Sequence, residues 1–336
     1  RNGNYSKGIP IVEEAIAEQS SPVGKCVKSC GLARAYAYSG NIPLAMEALD
    51  RAKMNRNKTI RWRKLSPKWR IRMDAFLHMA MGDLFNVTGK LKQAEKHHRK
   101  ALKIFAPYKK QRVSSAVASK SNAMVYNGMT SSLAENLRRQ GCLVKAEYYS
   151  RKALEGAIKS HGRYAPHTGQ QINILAKVLL DQGRHNEAIK LTKNAIKTFD
   201  QIQVPKENLL YSHAHTILAD SILLQRQWKD ALSEYDLIQK HMAKDQFLFD
   251  QFIGSKLNYF LALIQGGRVA EVLPRIQAIL KQKTDLLGEA HYQTAETRAI
   301  LGMALYRTGD EGKAFDAFAK AVPRLIGRSN RVERIG

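Results

Sequence analysis

From Leu175 to Phe199 the chain reads "LAKVLLDQGRHNEAIKLTKNAIKTF". Apolar and polar residues alternate at helical spacing, break at Gly183 and resume. That pattern predicts a helix, a glycine turn and a second helix. Small residues mark it at Ala176, Ala188 and Ala195.

The same hairpin recurs along the chain. Turn marks fall at Gly3, Gly40, Gly89, Gly141, Gly183, Arg226, Gly267 and Gly309. From Gly141 onward they lie 42, 43, 41 and 42 residues apart. Five residues after the turn stand Ala45, Ala94, Ala146, Ala188, Ala231 and Ala314; twelve after it, Ala15, Ala52, Ala101, Ala153, Ala195 and Ala321. Seven before it stand Ala33, Gly82, Ala134, Ala176, Ala219 and Gly302. Helices that cross closely need small side chains at the crossing, and glycine turns without a Cβ penalty. A fixed period of this size is the mark of a solenoid.

The expected fold is therefore all-α, a right-handed α-solenoid of helical hairpins, forming one array over residues 1–336. A partial leading repeat (residues 1–20) carries a second helix near Tyr5 to Ala17, and seven hairpins follow over about 25–325. A basic insertion is expected at 51–72, a longer connection or extended first helix at 106–130, and a tail at 323–336. Because the chain opens on the second helix of a pair, a preceding hairpin is expected. Two repeats depart from the pattern. Arg226 replaces a turn glycine, and around Gly267 the small residues give way to Phe260, Val272 and Ile279. Looser or differently angled packing is expected in both.

These marks resemble the tetratricopeptide repeat (TPR). The 42-residue period, with the shared connections "GRYAPHT" from Gly162 and "GEAHYQT" from Gly288, is similar to the long-period class of kinesin light chains and many bacterial TPR proteins. Thr168 and Thr294 in those connections are expected to cap helix starts. The last repeat, "GMALYRTGDEGKAFDAFAKAVPRL", resembles arrays that lead into a caspase-like CHAT protease domain. That resemblance is one repeat long, and it implies a sensor or regulatory arm.

Charge adds a second theme. The net charge is +26, an excess that suits an anionic partner. Arg51 to Arg72 holds ten Lys or Arg and no acid, with Trp62 and Trp69 among them. Lys90 to Arg112 holds nine against Glu95 alone. Arg61, Arg63, Lys64, Lys68, Arg70 and Arg72 would contact phosphates, with Trp62 and Trp69 free to stack on bases. Docking on an acidic protein would use the same residues, and a plain solvated face stands equally open. The tryptophans read first as packing between hairpins.

No catalytic constellation is found. "SSPVGKC" has Gln19 where a phosphate loop needs its first Gly and Cys26 where it needs Ser or Thr. His97 and His98 are neighbours on a helix and face different ways; His161 and His167 read as surface residues of a connection. Cys26 and Cys30 share one helical face and read as buried thiols. With Cys142 they make three cysteines, which suits a reducing, cytoplasmic setting. No metal, cofactor or membrane span is expected.

The resemblance implies a groove lined by first helices. Its candidates are Arg34, Tyr38, Phe76, Asp83 and Asn86, then Glu135, Arg138 and Arg139. Asn173, Lys177 and Asp181 follow, then His213, Thr216 and Asp220, and finally Glu296, Tyr306 and Arg307. Asn173 and Lys177 share one hairpin, which is not the arrangement of the clamp that TPR domains use on chaperone tails. The expected function is a non-catalytic scaffold with a protein partner in that groove. The alternative is nucleic-acid binding through 51–72 and 90–112. Exposed end hairpins leave self-association open.

Overall fold

A computed structural model describes residues 5–19, 21–61, 67–109 and 116–332. Among them only helical elements and their connections occur, and no helix is long and apolar enough to cross a membrane. The chain divides into two compact units, 1–217 and 218–336.

The first unit opens with α1 (Tyr5–Ala17) and continues as hairpins: α2 (Pro22–Tyr38) with α3 (Ile42–Arg61), α4 (Pro67–Val87) with α5 (Leu91–Lys109), α6 (Ala116–Arg139) with α7 (Leu143–His161), and α8 (Pro166–Asp181) with α9 (His185–Gln201). The division falls within α10 (Leu209–Leu224). The second unit continues with α11 (Trp228–His241), a short α12 (Gln246–Phe249), a π turn at Asp250–Gly254 and α13 (Leu257–Gln265). A 3₁₀ turn (Val269–Glu271) leads into α14 (Leu273–Leu287), and α15 (Tyr292–Arg307) pairs with α16 (Glu311–Val332). The basic stretch is thus largely helix, as α3 runs on to Arg61 and α4 starts at Pro67. The 106–130 stretch yields a long first helix, α6, and α16 continues through Pro323 to Val332.

The turns share one backbone solution. Gly40, Gly89, Gly141, Gly183, Gly267 and Gly309 all have φ between 75° and 86°, and Arg226 joins them at 63°. In each hairpin the next residue donates its N–H to a carbonyl five positions back. Cys142 reaches Leu137 at 2.9 Å, Arg184 reaches Leu179 at 2.9 Å, and Gln227 reaches Ile222 at 3.2 Å. This six-to-one bond satisfies a carbonyl that the helix end leaves orphaned.

The small residues mark the crossings. Ala45, Ala94, Ala146, Ala188 and Ala231, and Ala52, Ala101, Ala153, Ala195 and Ala321, are all fully buried. Where glycine replaces alanine on the first helix, an opposing ring fills the room. A Cβ on Gly82 would lie 2.6 Å from His98, and one on Gly302 2.9 Å from Phe318. Each apolar cluster joins neighbouring hairpins, such as Ala75, Met79, Phe105 and Met129 of α4, α5 and α6, so cohesion is local.

A polar seam repeats beside this core. Gln140 and Gln182, each just before a turn glycine, donate at 2.9 Å to Glu95 and Glu147 of the preceding second helix. Arg99 and Arg151 pair with the same carboxylates one helical turn on. Burial opposes ionisation of Glu147, but Gln182, Arg151 and Arg184 outweigh it and hold its pKa at about 2. The connection threonines act differently from the expected caps. Thr168 donates to the carbonyl of Gly162 at 2.7 Å and Thr294 to that of Gly288 at 3.0 Å. Both sit inside their helices, fully buried, and each staples the connection to the helix that follows.

Candidate functional site

The first helices of the first unit carry a linked row of polar side chains. Arg34 of α2 bonds Asp83 of α4, and Asp83 also lies 3.7 Å from His98. Asn86 accepts from Asn136 of α6 at 3.1 Å, and its carbonyl accepts from Arg139. Asp83 and Asn86 are buried, so they set the stacking of α2, α4 and α6. Tyr38 is half-buried on α2.

One step along the row, charge comes nearer the surface. Arg138 holds Glu135 through two bonds of 2.8 and 2.9 Å and also reaches Asp181 of α8. Lys177 lies 3.5 Å from Glu135. Burial alone would raise the Glu135 pKa. The Lys177 and Arg138 charges overcome it and hold the carboxylate ionised well below the usual range. Arg138 is correspondingly held charged by Glu135 and Asp181 against its own burial. The result is a pre-organised patch of two cations and two anions on adjacent first helices, with Lys177 and Asp181 the more exposed pair. Asn173 turns away and donates to the Leu210 carbonyl at 3.0 Å; Thr216 bonds back to the Ser212 carbonyl.

The second unit treats its candidates separately. Asp220 accepts from the buried Tyr235 hydroxyl. Arg307 donates to Gln265 at 2.9 Å, and Tyr306 beside it is 61% exposed.

Of the basic stretch, Trp62, Arg63 and Lys64 lie outside the described residues. Trp69 does not pack between hairpins as expected: it is 43% exposed, with the Arg72 guanidinium 5.7 Å from its ring centre and 5.8 Å from that of Phe76. It lies in the first turn of α4. Burial lowers the Arg72 pKa. The lysines of the later second helices, Lys96, Lys100 and Lys103 of α5 and Lys190, Lys193 and Lys197 of α9, are exposed.

His97 and His98 do face different ways. His98 is buried under Gly82, while the Nδ1 of His97 lies 2.9 Å from the Nδ1 of His78 on α4. Sequence reading missed this pair. Its two members lie 11 residues before and 8 residues after Gly89, an unequal spacing that the turn mark alone does not pair. His161 and His167 stack edge-on at 5.2 Å, and burial brings His167 down to about 4. Cys26 and Cys30 are fully buried and share a face; hydrogen bonding to Cys26, then burial, push the Cys30 thiol up.

Residues 121–201 match the family model of the tetratricopeptide repeat. The match spans α6 to α9, and the other hairpins share their turn and crossing geometry. Comparison with curated proteins gives no match. Among solved structures, a Rap protein complexed with Competence and Sporulation Factor superposes with a TM-score of 0.60 at 13% identity, covering 98% of this chain and 81% of that one. Aspartyl phosphate phosphatase F from Bacillus subtilis gives 0.56 at 13%, covering 89% and 71%. A Podosopora anserina putative kinesin light chain with nearly identical TPR-like repeats gives 0.42 at 15%, covering 60% and 95%. At such identities the first two speak for the fold alone.

Proposed function

We propose that the chain is a non-catalytic docking scaffold acting in the cytoplasm, with a protein partner held on the first-helix face of its first unit. The observation that supports this reading is the fixed charge patch Glu135–Arg138–Lys177–Asp181, which presents two exposed charges without the ordering cost of a loose surface pair. The Rap protein of similar fold is solved with a factor bound, which agrees with a docking role. In the finer form of the proposal the partner's arrival governs a CHAT-type protease domain of the same protein, as the wording of the last hairpin suggests.

The test is affinity capture with the wild-type chain and with Lys177→Glu/Asp181→Lys. A defined protein recovered by the wild type and lost by the folded variant is the expected result. Identical recoveries would sink the reading. Exposed Trp69 under Arg72 favours a second reading, single-stranded nucleic acid on the basic face. It requires binding to RNA that weakens steeply with salt and falls with Trp69→Ala.

A further inference from the structure

A cleft of about 390 Å³ opens between α3 and α5, with α4 at its base. Small-ligand sites run from about 300 to 1,000 Å³, so it has room for one small group. Leu77, Met81 and Ile104 form an aliphatic floor; Lys53, Arg56 and Lys100 stand around it with Asn57, His78 and one carboxylate, Asp74, which Arg56 neutralises.

The three cations are not equally engaged. Arg56 is held by Asp74. Among the described residues Lys53 pairs with Asp50, at 2.8 Å, an exposed pair one turn away on the same helix that gives little stability. Lys100 has no carboxylate partner among the described residues. Its field is felt inside the cleft: burial, then Lys100, then His97 depress the pKa of His78 to about 4. The histidine pair is therefore neutral near pH 7 and competes for no anion. The cleft retains positive charge at its mouth over an apolar base, the complement of an amphipathic anion.

We propose that this cleft binds an anionic head carried on a short aliphatic body, the head between Lys53 and Lys100 and the body over Leu77, Met81 and Ile104. Two sources share that chemistry: a medium-chain carboxylic acid, and the free carboxylate of a peptide ending in an aliphatic residue. The site uses the second helices α3 and α5 and is independent of the first-helix patch, so either proposal can fail alone.

The test is calorimetric titration of the full chain with decanoate and with a hexapeptide ending in leucine, as free acid and as C-terminal amide. The expected result is saturable binding of at least one free acid, with the amide or decanol weaker by about tenfold or more. Lys100→Glu should bring the same loss, while Lys193→Glu, an equal charge change on α9, should leave binding unchanged. Tighter binding of the peptide acid assigns the peptide source; tighter binding of decanoate assigns the lipid-like one. No saturation by either acid up to about 1 mM, an amide that binds as well as its acid, or an equal loss in Lys193→Glu would overturn the site. Circular dichroism of both variants separates lost binding from lost fold.

Discussion

The hairpin α8/α9 and the hairpin around Gly267 use the same turn and differ at the crossing. In the first, Ala176, Ala188 and Ala195 are fully buried and both helices are unbroken, at 16 and 17 residues. In the second, Phe260 and Val272 occupy the matching places, also fully buried. The first helix is cut to nine residues after a π turn, and the second opens as a 3₁₀ turn before α14 begins. Larger side chains at a close approach must find room, and here the backbone supplies it by giving up regular helix at both ends of the crossing. The Arg226 hairpin completes the contrast. It lacks the turn glycine yet keeps Ala219 and Ala231 fully buried, and α10 and α11 stay regular. The looser packing expected of both departures thus takes visible form only where the crossing residues changed.

The hardest blow to this comparison would come from enlarging the regular crossing. Ala188→Leu adds bulk where nothing can move, and about 3 kcal/mol of stability should be lost. Val272→Leu, at a crossing already opened, should lose about 1 kcal/mol. Denaturant unfolding of the two variants checks the pair, and equal losses would mean that crossing size does not set the geometry.

Acid offers a smaller and subtler lever. Burial holds His78 at about 4, against an ordinary histidine value near 6.5. Between those values the unfolded chain binds the proton and the folded chain does not, so stability falls as pH drops from about 6.5 to about 4. His97 and His98, lowered by the same burial, act in the same direction. Since His78 is half in solvent, its share is about 1–2 kcal/mol. Hydrogen exchange should show α4 and α5 loosening over this range ahead of α13 and α14, and His78→Gln should flatten the trend. Parallel loosening of all four helices would remove the distinction between the regions.

What could be read from the sequence follows the same division. The turn glycines and the alanine rows carry geometry that one residue type satisfies, so the all-helical fold and the pairing of helices across each turn are legible in the sequence. The leading helix, Tyr5 to Ala17, was readable for that reason, whereas 106–130 left a longer connection and an extended first helix both open, and α6 begins at Ala116. Side-chain partners were not. Asp83 and Asn86 sit at positions that face a groove by spacing, yet stacking buries them against α2 and α6. Trp69 looked like core because aromatics usually are, but it stands 43% exposed in the first turn of α4. Thr168 had the register of a cap and instead bonds a carbonyl six residues back, which depends on how the preceding helix ends. Such contacts depend on where a second helix lies, and a period within one chain segment does not encode that.

The mildest test asks whether the turn residue matters at all once the crossing is right. Arg226 holds φ at 63° with an exposed side chain. A left-handed backbone costs a non-glycine residue about 1–2 kcal/mol. Glycine there would lift that strain but give back about 0.5–1 kcal/mol through the freer unfolded chain. Arg226→Gly should therefore raise stability by about 0.5–1 kcal/mol, read as a small upward shift of the unfolding midpoint with helix content unchanged. Gly183→Arg should lower it by a similar amount, with α8 and α9 still paired. If Arg226→Gly were instead to weaken the fold, the arginine side chain would be holding the turn through its own contacts. The crossing alanines would then no longer suffice to explain why α10 and α11 stay regular.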